Sequence, residues 1–494
     1  MLEKFSILHI SDLHRSKESP ISNSALIASL ISDREKYVGE EVNPICAPNL
    51  IVVSGDIVRG SSNPSPEEAI QEIQRQYHEA HGFLTSLADN FLGGDKKRIV
   101  IIPGNHDIDW KYSRDSMQRL ENADVVDSSS ITKLAILKDS LRQQSNTRWS
   151  WKNLSFYRIN DEVIYNRRLD AFAQFYYRFY DGARVYSLEP SEQYDIFDYP
   201  DLQLSIAAFN SCYNNDHLRL AGDIHPDCIS KASIEIRNLV KRGRLILATW
   251  HHNTKGAPFE SNYMDSSVLK NFIDSKISIG LHGHQHRTEA LHEYSDIIEQ
   301  KKLIVFSAGT LCGGPDELPT GTNRQYNIIE LEKRAQEGKI RITLHVREKS
   351  ESSSFSNPIW IPGRIASRNL SSHSFEIVDP RKLDLTTQLL EIEMLINEKD
   401  FQTAKSKLLV MDAENGFVRS FLLECVIETE DYDLAIERFL QPRSIKESIT
   451  ILNALLALRR RDLINPLLEN METSMKQDSS VEYLINQVKA KLHV

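Results

Sequence analysis

Short runs of apolar and β-branched residues recur through the first 350 positions, each bounded by polar, turn-forming residues. They fall at 5–10, 50–53, 98–102, 204–209, 245–248 and 277–281. Near-continuous apolar runs of this length predict strands buried on both faces. Between them, 67–92 and 228–241 carry apolar residues at helical spacing, so the alternation predicts an α/β layered fold. After Leu281 the pattern becomes strand-rich, with runs at 303–306, 326–332 and 340–346.

The pattern then changes twice. Residues 351–382, with Ser352, Ser353, Ser354, Pro358, Pro362 and Pro380, read as a linker. From 383 to 494 the periodicity is helical throughout. Asp400-Phe401-Gln402-Thr403-Ala404 recurs as Asp431-Tyr432-Asp433-Leu434-Ala435, and more loosely as Asp462-Leu463-Ile464-Asn465-Pro466, a spacing of 31 residues. That period, with an acidic-aromatic turn after an amphipathic stretch, predicts tetratricopeptide-like helical hairpins. The alternative is a helical bundle whose repeat is accidental. The expected organisation is a first domain over 1–350 with an insertion at about 110–200, a linker, and helical repeats over 383–494.

Composition narrows the setting. The 494 residues are 40% hydrophobic and 26% charged, as in ordinary globular proteins. No run approaches the roughly 20 apolar residues of a membrane span, and Met1 to Phe5 lacks the basic start of a secretion signal. The five cysteines are scattered without CxxC spacing, which fits a reducing, cytoplasmic location. A net charge of −10 argues against a globally basic nucleic-acid-binding surface, though not against a local basic groove.

The chemistry lies at the strand ends. Asp12-Leu13-His14 follows the first run, Gly55-Asp56 the second and Gly104-Asn105-His106-Asp107 the third. His251-His252 follows the run at 245–248, and Gly283-His284-Gln285-His286 follows the last. Open α/β sheets place their ligand sites at carboxyl strand ends. Carboxylates, imidazoles and one amide oxygen suit a divalent metal such as Mn²⁺, Fe²⁺ or Zn²⁺. Strand register favours His251 over His252 as the inward-facing imidazole. His9, His225 and His282 read as packing or turn residues.

Together the five motifs resemble the calcineurin-like metallophosphoesterase family over about residues 5–310. The resemblance implies a double β-sandwich flanked by helices. It also implies two metal ions, best fitted by Mn²⁺ with iron, zinc or nickel as alternatives. Asp12, His14 and His286 would hold one, Asn105, His251 and His284 the other, and Asp56 would bridge them. His106 would remain unbound beside the scissile phosphate as a proton donor or charge stabiliser, with Asp107 the candidate to orient its ring. Two cations about 4 Å apart can share a hydroxide and neutralise phosphoryl oxygens during in-line attack. The turn Gly55-Asp56-Ile57-Val58-Arg59-Gly60 resembles the protein-phosphatase version but is one residue short. Arg59 is therefore either a substrate-phosphate ligand or a surface charge.

Substrate signals sit in the insertion. Residues 131–190 contain ten Lys or Arg against six Asp or Glu, interleaved with aromatics, a pattern compatible with nucleic acid. Core packing accounts better for Phe172, Phe175, Tyr176 and Phe179, while Arg148 and Arg178 are candidates to line the cleft mouth. The leading expectation is a phosphodiesterase acting on nucleic acid or a nucleotide. The alternative is a phosphomonoesterase or phosphoprotein phosphatase recruited by the repeats. The repeats, with fifteen basic against nineteen acidic residues between 381 and 494, suit a protein partner or self-association rather than a phosphate backbone.

Overall fold

The computed structural model describes residues 4–16, 19, 21–61, 63, 65–120, 145–254, 263–296, 301–334, 338–365 and 370–492; residues 121–144 of the expected insertion lie outside these. The chain divides into two compact units, Met1–Arg381 and Lys382–Val494.

The first unit opens with β1 (Lys4–Ile10), β2 (Pro48–Ser54), β3 (Ile99–Ile102), β4 (Met117–Arg119), β5 (Thr147–Ser150) and β6 (Ser155–Ile159). It continues with β7 (Tyr194–Tyr199), β8 (Leu204–Phe209), β9 (Leu245–Thr249), β10 (Ile279–His282) and β11 (Glu289–Asp296). Last come β12 (Lys301–Ser307), β13 (Gln325–Arg334), β14 (Lys339–Lys349), β15 (Trp360–Pro362) and β16 (Ser372–Val378). The helices are α1 (Asn23–Glu35), α2 (Pro66–Phe91), α3 (Trp110–Asp115), α4 (Glu162–Asn166), α5 (Asp170–Phe179), α6 (Pro226–Lys241) and α7 (Ser267–Asp274).

Two mixed sheets form the frame. One runs β15-β14-β13-β1-β2-β3, with β16 also on β14; the other runs β11-β12-β10-β9-β8-β7. Each has a parallel segment: β1, β2 and β3 at one end of the first, β12, β10, β9 and β8 in the middle of the second. Residues from both sheets, including Ile7, Val52, Leu247, Leu281 and Phe306, share one apolar core. All five motifs therefore leave parallel strands at their carboxyl ends.

The helices shield this frame by amphipathic packing. In α2, Ile73, Tyr77, Ala80, Leu84 and Leu87 are buried at helical spacing, behind Pro66 and two acidic first-turn residues that favour the helix start. In α5, Phe172, Phe175, Tyr176 and Phe179 are buried, and Phe175 stacks on Tyr77 with ring centroids 4.9 Å apart. These four aromatics of the insertion are core, whereas Trp151 and Tyr177 are exposed. A small sheet, β4-β6-β5, completes that region.

The expected linker is corrected. Within 351–382, β15 and β16 both pair antiparallel with β14. In β16, Phe375 and Ile377 are buried while Ser374 and Glu376 are exposed, a period-two pattern concealed by serine-rich flanks. Trp360 is buried, donates from its indole to Ser29 Oγ at 3.0 Å and meets the Tyr326 ring.

The second unit is helical: α8 (Pro380–Asn397), α9 (Phe401–Leu408), α10 (Gly416–Glu428), α11 (Tyr432–Phe439), α12 (Ile445–Ala457), α13 (Ile464–Asn470), α14 (Thr473–Lys476) and α15 (Ser479–Leu492). Long and short helices alternate from α8 to α13, and the turns after α8, α10 and α12 each contain a left-handed residue, Lys399, Glu430 or Arg459. Asp400 and Asp431 cap α9 and α11 by accepting from Thr403 N and Leu434 N, each at 3.2 Å. Asp462 instead pairs with Arg460. Among the described residues, no helix is long and apolar enough to cross a membrane.

The strand pairing separates two truncations. A chain ending after Pro380 is expected to be soluble and to unfold cooperatively. One ending after Ser350 strips two partners from β14, exposes its edge and loses the Trp360 anchor, a loss of about 3–5 kcal/mol for the tryptophan alone. Solubility and denaturant unfolding of the two chains check this.

Candidate metal centre

The loops after β1 and β2 run side by side: Asp12 N donates to Gly55 O at 3.1 Å and His14 N to Asp56 O at 3.0 Å. The second sheet is tied to them by His284 N, which donates to Asp12 Oδ2 at 3.1 Å, and by His251 Nδ1, which donates to Ser54 O at 2.8 Å. Asp12, His14, Asp56, His284 and His286 all have positive φ, between 42° and 74°. A left-handed residue at a strand end turns its side chain across the sheet edge, at roughly 1–2 kcal/mol each for a non-glycine residue. Glycine supplies clearance where backbones meet. A Cβ on Gly104 would collide with Asp56, and one on Gly283 with Ser11 and Asp12.

These turns gather the predicted donors. Asp12, His14 and His286 bring ligand atoms within one cation's reach, and so do Asp12, Asp56 and His251. Asp56 Oδ2 lies 3.7 Å from His14 Nε2 and 3.3 Å from His251 Nε2, between the two groups. Asn105 Oδ1 is 3.0 Å from His251 Nε2 and 2.9 Å from His284 Nδ1. Asp12 Oδ1, both His14 nitrogens and His284 Nε2 are buried without a hydrogen-bond partner. Buried polar atoms left so are costly, and two divalent cations are the group that this donor set fits. Ring orientation agrees: His251 and His286 direct Nδ1 to the carbonyls of Ser54 and Glu317, leaving Nε2 for the centre, the usual outer support of a metal-binding imidazole.

The remaining predicted residues fall differently. His106 is exposed, its ring 4.6 Å from that of His14, and its Nδ1 donates to Arg59 O at 2.8 Å. Asp107 does not orient His106. Its buried carboxylate accepts from Gly104 N at 2.8 Å, Ile57 N at 3.1 Å, Val58 N at 3.4 Å and Tyr77 OH at 3.0 Å. It fastens the second motif to the third, because a carboxylate enclosed by backbone donors has no oxygen to spare for the imidazole. Arg148 is not at a cleft mouth either. It is 1% exposed, donates to Asp216 Oδ2 and Asn214 Oδ1, each at 2.8 Å, and to Tyr165 OH, so its charge is spent inside the fold. Arg178 is exposed on α5 and donates to Gln174 O of its own helix. Arg59 pairs with Glu317 at 3.7 Å.

Two supports escaped sequence reasoning. Ser211 Oγ accepts from His251 N and His252 N at 3.0 and 3.1 Å and meets His252 Nδ1 at 2.9 Å, turning His252 away from the centre. Thr310 Oγ1 donates to Asp12 O at 2.7 Å. Each follows a buried strand, β8 or β12, and that position was the available signal.

Without metal, the charges are balanced by protons. Burial opposes a charged His251, but Asp56 outweighs it and raises the imidazole to about 9. Burial likewise opposes a charged His286, and Asp12 raises it to about 9. Burial, reinforced by His251, lowers His284 to about 4. Held above their ordinary 6.5, the first two stabilise the metal-free fold while protonated. That contribution is complete below 6.5 and is lost as pH rises through about 9.

Metal must displace those protons. Affinity for Mn²⁺ is therefore expected to rise with pH up to about 9 and level off above it, with proton release visible by calorimetry in buffers of different ionisation enthalpy. A flat affinity profile from 6.5 to 9 counts against this assignment. Asp107→Ala is expected to strand buried amides and cost roughly 3 kcal/mol or more, read by denaturant unfolding together with reduced metal content.

Residues 5–288 match the calcineurin-like phosphoesterase family. Among curated proteins, none matches this sequence. A dimetal phosphatase from Danio rerio is similar in structure with a TM-score of 0.38 and 10% identity, over 72% of this chain and 98% of its own. The anchor in the inner membrane complex of Plasmodium has a TM-score of 0.30 and 9% identity, over 76% of this chain and 89% of its own. At those scores neither carries an argument about substrate. Matched over more than half its length, with all five strand-end motifs meeting at one centre, the chain belongs to the calcineurin-like phosphoesterase family, metal-dependent hydrolases of phosphoric esters.

Proposed function

We propose that the protein is a phosphodiesterase acting on nucleic acid or a nucleotide, with manganese as its preferred metal. When bound, two cations supply Lewis acidity toward the phosphoryl oxygens and lower the pKa of water. The chain's own part is positioning and proton supply. His106 has its Nδ1 anchored on Arg59 O, so Nε2 is the position from which it delivers a proton to the leaving alkoxide.

The observation that carries the diester reading is charge. The guanidinium of Arg59, whose backbone holds His106, is paired with Glu317. A diester presents one negative charge and a monoester two. A guanidinium whose charge is partly offset suits the first. The basic residues of the insertion lend less support, since Arg148 is consumed by Asp216 and Arg184 by Asp195.

The second unit is proposed to be a tetratricopeptide-like module that binds a protein partner or mediates self-association, outside the chemistry itself. All five cysteines are unpaired, which supports a cytoplasmic setting.

The test compares bis(4-nitrophenyl) phosphate with 4-nitrophenyl phosphate in Mn²⁺, followed by DNA and RNA. Higher kcat/KM on the diester is expected. His106→Ala should retain metal while slowing turnover by roughly a hundred-fold, most severely for unactivated nucleotide esters. Preference for the monoester overturns the diester reading.

A further inference from the structure

The two imidazoles that flank His14 are held by one clasp. His106 Nδ1 donates to the carbonyl of Arg59 at 2.8 Å. His286 Nδ1 donates to the carbonyl of Glu317 at 2.5 Å. The side chains of those same two carbonyl-bearing residues meet, Arg59 Nε to Glu317 Oε1 at 3.7 Å. The rings of His106 and His286 lie 4.6 and 5.2 Å from that of His14. The contacts close a circuit around one edge of the metal centre, through His14, His106, Arg59, Glu317 and His286.

Glu317 is well placed to keep this geometry. Its other carboxylate oxygen accepts from Gly314 N at 2.8 Å, capping the turn Pro315–Glu317. Gly313, just before it, is held from two sides: its N donates to Thr310 Oγ1 at 2.8 Å, and its carbonyl accepts from buried Arg324 Nε at 2.8 Å. Thr310 in turn donates to Asp12 O. Thus the acid is fixed by backbone while its partner is the more exposed side chain, Arg59 at 50% against 27% for Glu317.

From this we infer that Glu317 is a specificity-determining residue: its carboxylate offsets Arg59 at the rim of the centre and biases the site against dianionic phosphate monoesters. The inference deepens the diesterase reading above and rests on it for the direction of selection, while the charge coupling is measurable by itself. Glu317 acts through Arg59 and through repulsion of the second phosphate charge; it is not a proton donor or a nucleophile. A half-exposed pair is screened by water, so the effect is moderate.

Glu317→Gln in the full, Mn²⁺-loaded chain tests it, because the amide oxygen still caps Gly314 and the backbone carbonyl still supports His286. The readout is the ratio of kcat/KM for bis(4-nitrophenyl) phosphate to that for 4-nitrophenyl phosphate, at a pH where the monoester is dianionic. The expected shift is about five-fold toward the monoester, expressed mainly in KM, with metal content unchanged. Calorimetry with inorganic phosphate should show tighter binding by a similar factor. Glu317→Asp, which keeps the charge, should stay near the wild-type ratio, and Arg59→Met should shift it the opposite way. In the Arg59→Met background, Glu317→Gln should shift the ratio less than it does alone. An unchanged ratio with metal retained overturns the inference, as does an equal loss on both substrates accompanied by loss of metal. Should Glu317→Gln not fold, the sign of the Arg59→Met shift and the phosphate affinity of that variant still decide the matter. A wild-type preference for the monoester would defeat the diesterase reading and leave the Glu317 shift to be read on its own.

Discussion

Two carboxylates, Asp12 and Asp56, are buried at the seam between two sheets, 0% and 1% exposed. A carboxylate removed from water must find positive charge or donors, or else take up a proton. Here burial pushes both toward protonation, and the surrounding imidazoles overcome it, His286 foremost for Asp12 and His251 for Asp56. The backbone N–H groups of His284 and His106 add hydrogen bonds. The seam is thus organised around negative charge that only cations balance fully, and the loops that meet there are shaped by that demand.

That shaping is visible in the backbone. Five of the donor residues occupy left-handed conformations, which isolated turns of Asp and His adopt reluctantly. The parallel strands supply the compensation, since each loop begins from a strand with both faces buried. Asp107 and Ser211, neither of which offers a ligand atom to the centre, lock neighbouring loops to one another through hydrogen bonds with the backbone. A metal centre assembled from motifs of two to four residues needs such fasteners, because the motifs themselves are too short to hold position.

The insertion shows how composition can mislead. Its arginines and aromatics have the makeup of a nucleic-acid surface, yet Arg148 and Arg168 are buried and fully engaged with Asp216, Tyr165 and main-chain carbonyls. Buried guanidinium groups of this kind organise a subdomain through their several donors. The charge proposed to bear on substrate lies elsewhere, at Arg59 and Glu317, where two loops distant in sequence meet.

The sequence by itself determined the buried parallel strands and the order of the motifs, and it singled out the acids and imidazoles that those strand ends bring together. Buried strands need long apolar runs, and metal-binding side chains at their ends are chemically conspicuous. It also showed that the second unit is helical, where Asp400 and Asp431 cap helices by local hydrogen bonds that any chain with that spacing can form. What it could not show were pairings set by distance in space. β15 and β16 exist because β14 offers them an edge, although serines and prolines around them suggest a linker. Asp107 became a fastener because Ile57, Val58 and Tyr77 come to it from other elements. Arg148 was drawn inward by Asp216, 68 residues away. Local pattern fixes which residues can do chemistry; packing between distant segments decides which of them reach the site and which are used up in holding it together.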